Sequence, residues 1–425
     1  MCSSYRDDLY TRPQYIMDLI TVVVLTCSII IVKFLLKGDP ESINGVYSQP
    51  NKWYWIKFYG FKFILWLRKR EQNKVNGENA GMGRKSRNSP EEMDKAQVLH
   101  KEHPKAVDAV YLTGSNKDGQ FLVTATARRH GNHVQTIVYL RLPDVGFLEL
   151  PSMPDTSLRG SQEGEYAAGG LHIRPMETMK TWSIKFDGKL RQVSSGKLLN
   201  VTFDLTWTAC TRYFDFDIDL HPDTLCDAIA REKWSRTFFD TLKTIHQTHY
   251  EQFGDTRGTV HIEGHDPVTF DVRGVRDHSY GNIRNWRQLH RYCIQYASFE
   301  DGSNLNISAI SMPATTSRLH CGFLFHPDGS LDKMSWCDLE FHHLGDDGTP
   351  VTDFTIRFKA GDKTRTVTAK VLDTRQFYIG DGRDAKIFER YVRYEMDGVV
   401  GYGLSEWEYV NNDGTDPQNN MGLNF

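Results

Sequence analysis

From residue 96 onward apolar and polar positions alternate in short runs, and such a run turns one face of a strand inward and the other outward. Residues 121–127 and 134–142 are two of these runs around Gly131-Asn132, which predicts a hairpin. Further strands are expected at 168–174, 181–186, 201–208 and 214–220, with turns at Asp187-Gly188 and 194–196. Between 223 and 252 the period changes. Leu225, Ile229, Trp234, Phe238, Phe239, Leu242 and Ile245 recur at helical spacing, predicting one or two helices that divide two β regions. The second region is expected to hold strands at 259–263, 268–274, 291–299, 305–311, 320–325, 351–358, 364–372, 387–396 and 399–409. Turns fall at Gly302, Gly329, Gly348 and Asp397-Gly398. Strands at this spacing argue for antiparallel sandwiches or barrels rather than βαβ units.

Ahead of the β regions, residues 16–36 carry charge only at Asp18 and Lys33. A helix over them spans roughly 30 Å, the hydrocarbon thickness of a bilayer. No small-residue cleavage pattern follows, so a transmembrane anchor is expected, with a signal peptide or a buried core helix as rivals. Arg6 and Arg12 precede it, offset by Asp7 and Asp8, whereas Lys37, Lys52, Lys57, Lys62, Arg68, Lys69 and Arg70 follow. The positive-inside bias therefore places the bulk of the chain in the cytosol, without saying at which membrane. Trp, Tyr and Phe interleave with Lys and Arg over 52–70, which predicts a helix in the headgroup layer or, alternatively, one packed on the globular part. Residues 72–95 then read as a flexible linker. The expected division is a flank at 1–15, an anchor at 16–36 and a juxtamembrane segment at 37–71. After the linker come a first β domain at 96–221, a helical connector at 222–252, a second β domain at 253–410 and a polar tail at 411–425.

The composition narrows the function classes. At 425 residues the chain is long enough for more than one core, and its net charge of −3 does not predict a nucleic-acid partner. Beyond the anchor the cysteines are Cys210, Cys226, Cys293, Cys321 and Cys337, without CxxC or zinc spacing, as expected of reduced thiols. In the cytosol the sequons at Asn200 and Asn306 would stay unmodified. No phosphate-cradling glycine loop, GxSxG or HExxH occurs. His246 with His249, His261 with Glu263 and His265, and His342-His343 are weak metal patterns. Neither a metal nor a cofactor is expected.

The densest chemistry lies at 264–286, where Arg276, Asp277, His278, Tyr280, Arg284 and Trp286 crowd into eleven residues beside Gly274 and Gly281. Gly281 can adopt a positive φ and turn the segment back over a barrel mouth. A carboxylate beside an imidazole can trade a proton, and burial would raise its pKa toward neutrality. The competing reading is that Asp-His and Arg-Trp pairs merely rigidify a corner.

Four motifs carry a resemblance: residues 249–254 (HYEQFG), 258–260 (GTV), 274–281 (GVRDHSYG) with Trp286, and 401–407 (GYGLSEW). Together they resemble the AttH-like and carotenoid-hydratase-like group of paired lipocalin-type β domains, which includes tocopherol-cyclase relatives. The likeness covers about residues 96–409. The layout of anchor plus β region also looks like the N-terminal part of insect phosphoenolpyruvate-synthase-like proteins, although the ATP-binding phosphotransferase region of those proteins does not follow here. The resemblance implies a mainly β fold: two facing calycin-like antiparallel barrels joined by helices, with a lipophilic, isoprenoid-like molecule held near their interface. It implies proton-initiated hydration or cyclisation, with Asp277 as the acid, His278 as its proton partner, and Tyr280 and Trp286 as pocket wall. Glu406 and Trp407 are second candidates, and Arg276 and Arg284 are further ligand contacts. The expected partners are the bilayer and a lipophilic small molecule, with any protein partner unspecified. A non-catalytic accessory module and a structural tether are the competing readings.

Overall fold

The computed structural model describes residues 8–70, 86, 88–380 and 382–412, with side chains from residue 15 onward. Helix α1 (Asp8–Leu36) carries the apolar run, and α2 (Tyr54–Arg70) the aromatic and basic one. Most of the expected linker lies outside the described residues, but its end does not. Ser89 caps a single helical turn, α3 (Pro90–Met93), through a capping box with Glu92, and Met93 and Asp94 are buried in the first barrel.

The first β unit runs β1 (Val107–Ser115), β2 (Phe121–Arg128), β3 (His133–Leu142), β4 (Gly146–Glu149), β5 (Ser157–Arg159), β6 (Tyr166–Ala168), β7 (Leu171–Glu177), β8 (Thr181–Gln192), β9 (Leu198–Ala209) and β10 (Phe214–Asp215). Helices α4 (Pro222–Arg231) and α5 (Arg236–Thr244) follow, and then β11 (Thr248–Ile262) and β12 (Val268–Gly281). The antiparallel pairings β1-β2-β3-β4-β8-β9-β11-β12 return to β1 and close a barrel. A second closed barrel follows in simple order: β13 (Arg291–Phe299), β14 (Asn304–Met312), β15 (Thr316–Phe325), β16 (Leu331–Cys337), β17 (Asp353–Ala360), β18 (Lys363–Ile379), β19 (Ala385–Met396) and β20 (Val399–Val410). The fold is mainly β, as expected, with two antiparallel barrels and few helices.

Alternation places the cores. On β9, Val201, Phe203, Leu205 and Trp207 point inward while their neighbours are exposed. On β13, Cys293 and Ala297 fill the second barrel. Tyr292 and Tyr296 of the same strand point out and join the first barrel's apolar cluster, so one continuous core crosses the seam. Strand crowding there requires glycine: a methyl at Gly403 would lie 1.8 Å from the Tyr296 carbonyl oxygen, and one at Gly274 2.1 Å from that of Thr113.

Several expectations need correcting. Residues 248–281 complete the first barrel rather than opening the second, because β11 pairs with β9 and β12 with β1. Helix ends at Thr244, and 248–252, expected within the helical connector, are strand. The alternating run 214–220 is strand only at Phe214–Asp215. Beyond it, Asp215 accepts from the Asp217 amide and Asp219 from the Asp215 amide, a local alternative to ladder bonds. Asp187-Gly188 is no turn but the interior of β8. Gly281 ends β12 without entering the left-handed region. Strands β1, β4, β5 and β16 had no expectation over them.

Candidate functional site

Adjacent residues of β12 face opposite ways, and this separates the pair that the motif places side by side. Arg276, His278 and Tyr280 enter the lumen of the first barrel, while Asp277 and Ser279 face the second barrel.

Within the lumen these side chains join a buried polar network beside the apolar core. Arg276 donates to Asp94 at 2.5 Å, to the Tyr250 hydroxyl at 2.9 Å and to Gln252 at 2.8 Å, with its guanidinium among the rings of Trp182, Trp207 and Tyr250. His278 Nδ1 lies 3.0 Å from the Tyr250 hydroxyl, and its Nε2 lies 2.8 Å from Asp108, which also holds Arg128 at 2.6 Å. The Tyr280 hydroxyl accepts from Asn88 at 2.5 Å. This is the chemistry of a packed polar core, with opposite charges paired and hydrogen-bonded. His278 therefore pairs with Asp108 and is not the proton partner of Asp277.

The outer face builds a different cluster. Register sets Glu251, Asp277 and Tyr111 side by side across β11, β12 and β1. His249, two residues before Glu251 on the same face, puts Nε2 2.9 Å from Asp277 Oδ2 and 3.5 Å from Glu251 Oε1, with its ring stacked on Phe216 at 4.2 Å. The second barrel closes over this row. Tyr296 donates to Glu251 Oε1 at 2.7 Å and Asn306 to Oε2 at 2.8 Å. Opposite them, Glu389 and Glu406 face each other across β19 and β20 within hydrogen-bonding reach. The Tyr111 hydroxyl donates to Glu389 at 3.1 Å, and that of Tyr292 donates to Glu406. Glu408, two residues on, is fully buried, and among the described residues no side chain donates to it.

Among the described residues, none of Glu389, Glu406 and Glu408 forms an ion pair with Lys or Arg, so burial acts on them unopposed by a cation in contact. It pushes all three carboxyls above the usual range; at Glu389 the neighbouring Glu406 adds to the effect. The pair thus holds a proton between its two carboxyls, with Tyr111 donating to Glu389 and Tyr292 to Glu406. Burial likewise pushes Glu251 up to about 8, with Asp277 adding and His249 opposing. Burial alone would lower the His249 imidazolium, but Asp277 and then Glu251 outweigh it and hold it above its ordinary value. His249, Glu251 and Asp277 also form the one group of three donors, among the described residues, close enough to share a cation. The crevice beside them, lined by Thr113, Gly114, Phe253, Gly274, Tyr296 and Gly403, has no room for a water in this conformation.

Of the other residues expected at the site, Arg284 donates to Gln247 and Ser279 next to the seam, where it feels the charge of Asp277, and Trp286 is buried in the core that crosses it. Trp407 lies in the lumen of the second barrel and donates to Ser405 at 2.8 Å. The seam thus gathers Asp277, Glu406 and Arg284 but not Arg276, His278, Tyr280 or Trp407. Sequence reasoning missed Tyr111, Glu251, Tyr292, Tyr296 and Glu389, and found no acidic partner for His249, whose partners come from its own and a neighbouring strand. One signal was available: glutamates at alternate positions within strands otherwise rich in aromatic and aliphatic residues. The weaker metal patterns dissolve, since His246 pairs with Asp217 at 2.6 Å, and His261 and Glu263 are exposed.

No curated protein matches the sequence. Among solved structures the chain is similar to a protein described as AttH from Nitrosomonas europaea, with TM-score 0.47 and 13% identity over 72% of this chain and 93% of that one. It is also similar to kievitone hydratase from Nectria haematococca, with TM-score 0.46 and 9% identity over 78% and 97%. For CghA solved with Sch210972 the values are 0.43 and 11%, over 81% and 98%. Nothing in the comparisons touches the phosphoenolpyruvate-synthase-like layout. Residues 19–409, from within the apolar helix to the last strand of the second barrel, match a single family model, and the chain belongs to the family of unknown function DUF8627.

Proposed function

We propose that the chain is a membrane-anchored protein whose inter-barrel seam transforms a lipophilic molecule by proton-initiated hydration or cyclisation. The observation that carries this reading is the buried Glu389–Glu406 pair, kept protonated between two tyrosines. Buried carboxyls without cations are costly, and such groups cluster at sites of proton transfer. In hydration, Glu389 gives its proton to an alkene carbon, forming a C–H bond and leaving a carbocation next to aromatic rings. Water adds its oxygen to the cation, and the proton it sheds passes to the hydrogen-bonded His249–Asp277 pair. In cyclisation a second alkene of the substrate attacks in place of water and forms a C–C bond, and the new cation loses a proton from a neighbouring carbon to the His249–Asp277 pair, leaving an alkene. Substrate entry requires the barrels to part along the glycine-lined crevice. The closed crevice also favours a second reading, in which the seam is a static joint and the chain a non-catalytic module.

Incubating the full chain with a total lipid extract in ¹⁸O-labelled water and in D₂O separates the two. Hydration yields a product carrying ¹⁸O, cyclisation one carrying a non-exchanging deuterium. Glu389→Gln should lower product formation by about 10²–10⁴-fold without unfolding the protein. Equal turnover by this variant, or no labelled product from wild type, would sink the catalytic reading.

The anchor in this reading is α1. Residues Tyr15–Leu36 form a helix long and apolar enough to cross a membrane, with none of the apolar window buried against the protein. The excess of cations after it supports a cytosolic placement of the barrels. Protease added to the cytosolic face of intact vesicles should then digest the chain beyond Lys101. Protection there reverses the orientation.

A further inference from the structure

The sequence leaves α2 with two rival readings, a helix in the lipid headgroups or a helix packed on protein. The structure gives each reading one face of the same helix, and we infer that α2 docks its second face into the interfacial layer of an anionic bilayer.

The inner stripe is Tyr54, Phe58, Phe61 and Leu65, at the spacing of one helical face. It packs on Cys226 and Ile229 of α4 and on Trp234, Phe238, Phe239 and Leu242 around it. A helix packed on one side should turn a polar face outward. Here the outward face is Trp55, Ile56, Tyr59, Phe63, Trp66 and Leu67; the first three are 63%, 64% and 62% exposed. A contiguous apolar row of this kind marks a surface that is covered in use.

Three observations choose the cover. First, α2 begins where α1 ends: Lys52 donates to the carbonyls of Leu35 and Lys37 at 2.7 and 2.9 Å, and Phe34 meets Trp53 edge to face at 5.3 Å. On the anchor reading, with which this inference stands in series, that junction lies at the bilayer surface. Second, the exposed rings include Trp and Tyr, whose amphipathic bodies favour that depth. Third, the helix ends in Arg68, Lys69 and Arg70, with Arg70 stacked over Trp66 at 3.8 Å, a basic terminus suited to anionic headgroups. The platform is fixed to the barrels. Tyr54 donates to Asp227 at 2.5 Å, Asp227 holds Arg318 of β15 at 2.6 Å, and Lys57 donates to the Glu232 carbonyl at 2.6 Å. Docking of α2 therefore sets the orientation of the second barrel, and with it the seam, relative to the lipid.

Spin labels in the full chain test this, in liposomes of phosphatidylcholine with phosphatidylserine. Labels are placed by Tyr59→Cys, Phe63→Cys, Thr355→Cys on the exposed face of β17, and Ile29→Cys in α1, with Cys2, Cys27 and Cys210 replaced by Ser. The ratio of collisions with O₂ to collisions with a water-soluble Ni(II) chelate should be several-fold higher at positions 59 and 63 than at 355. Equal ratios overturn the inference. So does spin–spin broadening at 59 that disappears on dilution with unlabelled protein, since a second copy would then be the cover. If position 29 reads as lipid and 59 as water, the anchor stands and the platform falls. If 29 reads as water the anchor falls, and positions 59 and 63 decide the platform by themselves.

Discussion

Arg276→Ala should lower the unfolding free energy by about 3–5 kcal/mol, read as a fall in the urea midpoint at unchanged m-value. The substitution leaves the Asp94 carboxyl buried, with the Tyr250 hydroxyl and the Trp182 indole, 3.3 Å away, as its remaining side-chain donors, and it removes the cation that fills the space between three rings. Asp277→Asn, one residue away, should cost far less, because Asp277 is partly exposed at the seam and an amide can keep its contact with His249. If Arg276→Ala unfolds within about 1 kcal/mol of wild type, the lumen is not the rigid polar plug described above. The comparison also sorts the motif at 274–281: its lumen-facing members serve the fold, and its seam-facing member is available to chemistry.

Raising the pH from 5 to 9 should destabilise the protein by several kcal/mol. For Glu251 the folded-state value of about 8 exceeds the ordinary 4.5, so the folded protein holds a proton that the unfolded chain releases between those values. That contribution is complete below about 4.5 and is lost, at about 1.4 kcal/mol for each pH unit, as the pH climbs toward 8. Glu389, Glu406 and Glu408 act with the same sign, and so does His249, whose contribution is complete below 6.5 and fades as the pH rises through its elevated value. Asp219, Asp227 and Glu340 act oppositely: their cationic partners outweigh burial, and their stabilisation is lost only in acid, as the pH falls through their depressed values. The midpoint of thermal unfolding should therefore peak in mildly acidic buffer, and Glu251→Gln should flatten its alkaline slope. A midpoint that rises between pH 5 and 8 would contradict the burial of these carboxyls as acids.

The seam explains why residue density misled as well as guided. In 274–281 acid, base and cation are neighbours in sequence, but a strand sends neighbours to opposite faces, so Asp277 and His278 belong to different environments. Glu389 and Glu406 lie 17 positions apart and meet through the register of β19 and β20. Tyr111 reaches Glu389 from 278 positions away. The strands of Glu389 and Glu406 were each legible, that of Tyr111 was not, and that these faces meet was legible for none of them. The end of the expected linker shows the same limit, since polarity marks residues 72–95 as solvent-facing until Arg276 supplies a buried partner for Asp94.

By itself the sequence determined the local grammar: alternating runs that become strands, glycines at Gly302, Gly329, Gly348 and Gly398 that take the positive φ of tight turns, and an apolar helix ahead of them. These outcomes rest on side-chain period and backbone sterics, which act within a few residues. Tertiary structure alone decided that residues 248–281 close the first barrel, that four glutamates converge between the barrels, and that one apolar face of α2 is covered by protein while another stays exposed. Strand pairing and burial are settled between segments far apart in the chain, and a carboxyl learns whether it is wet or dry only once the second barrel has closed over it.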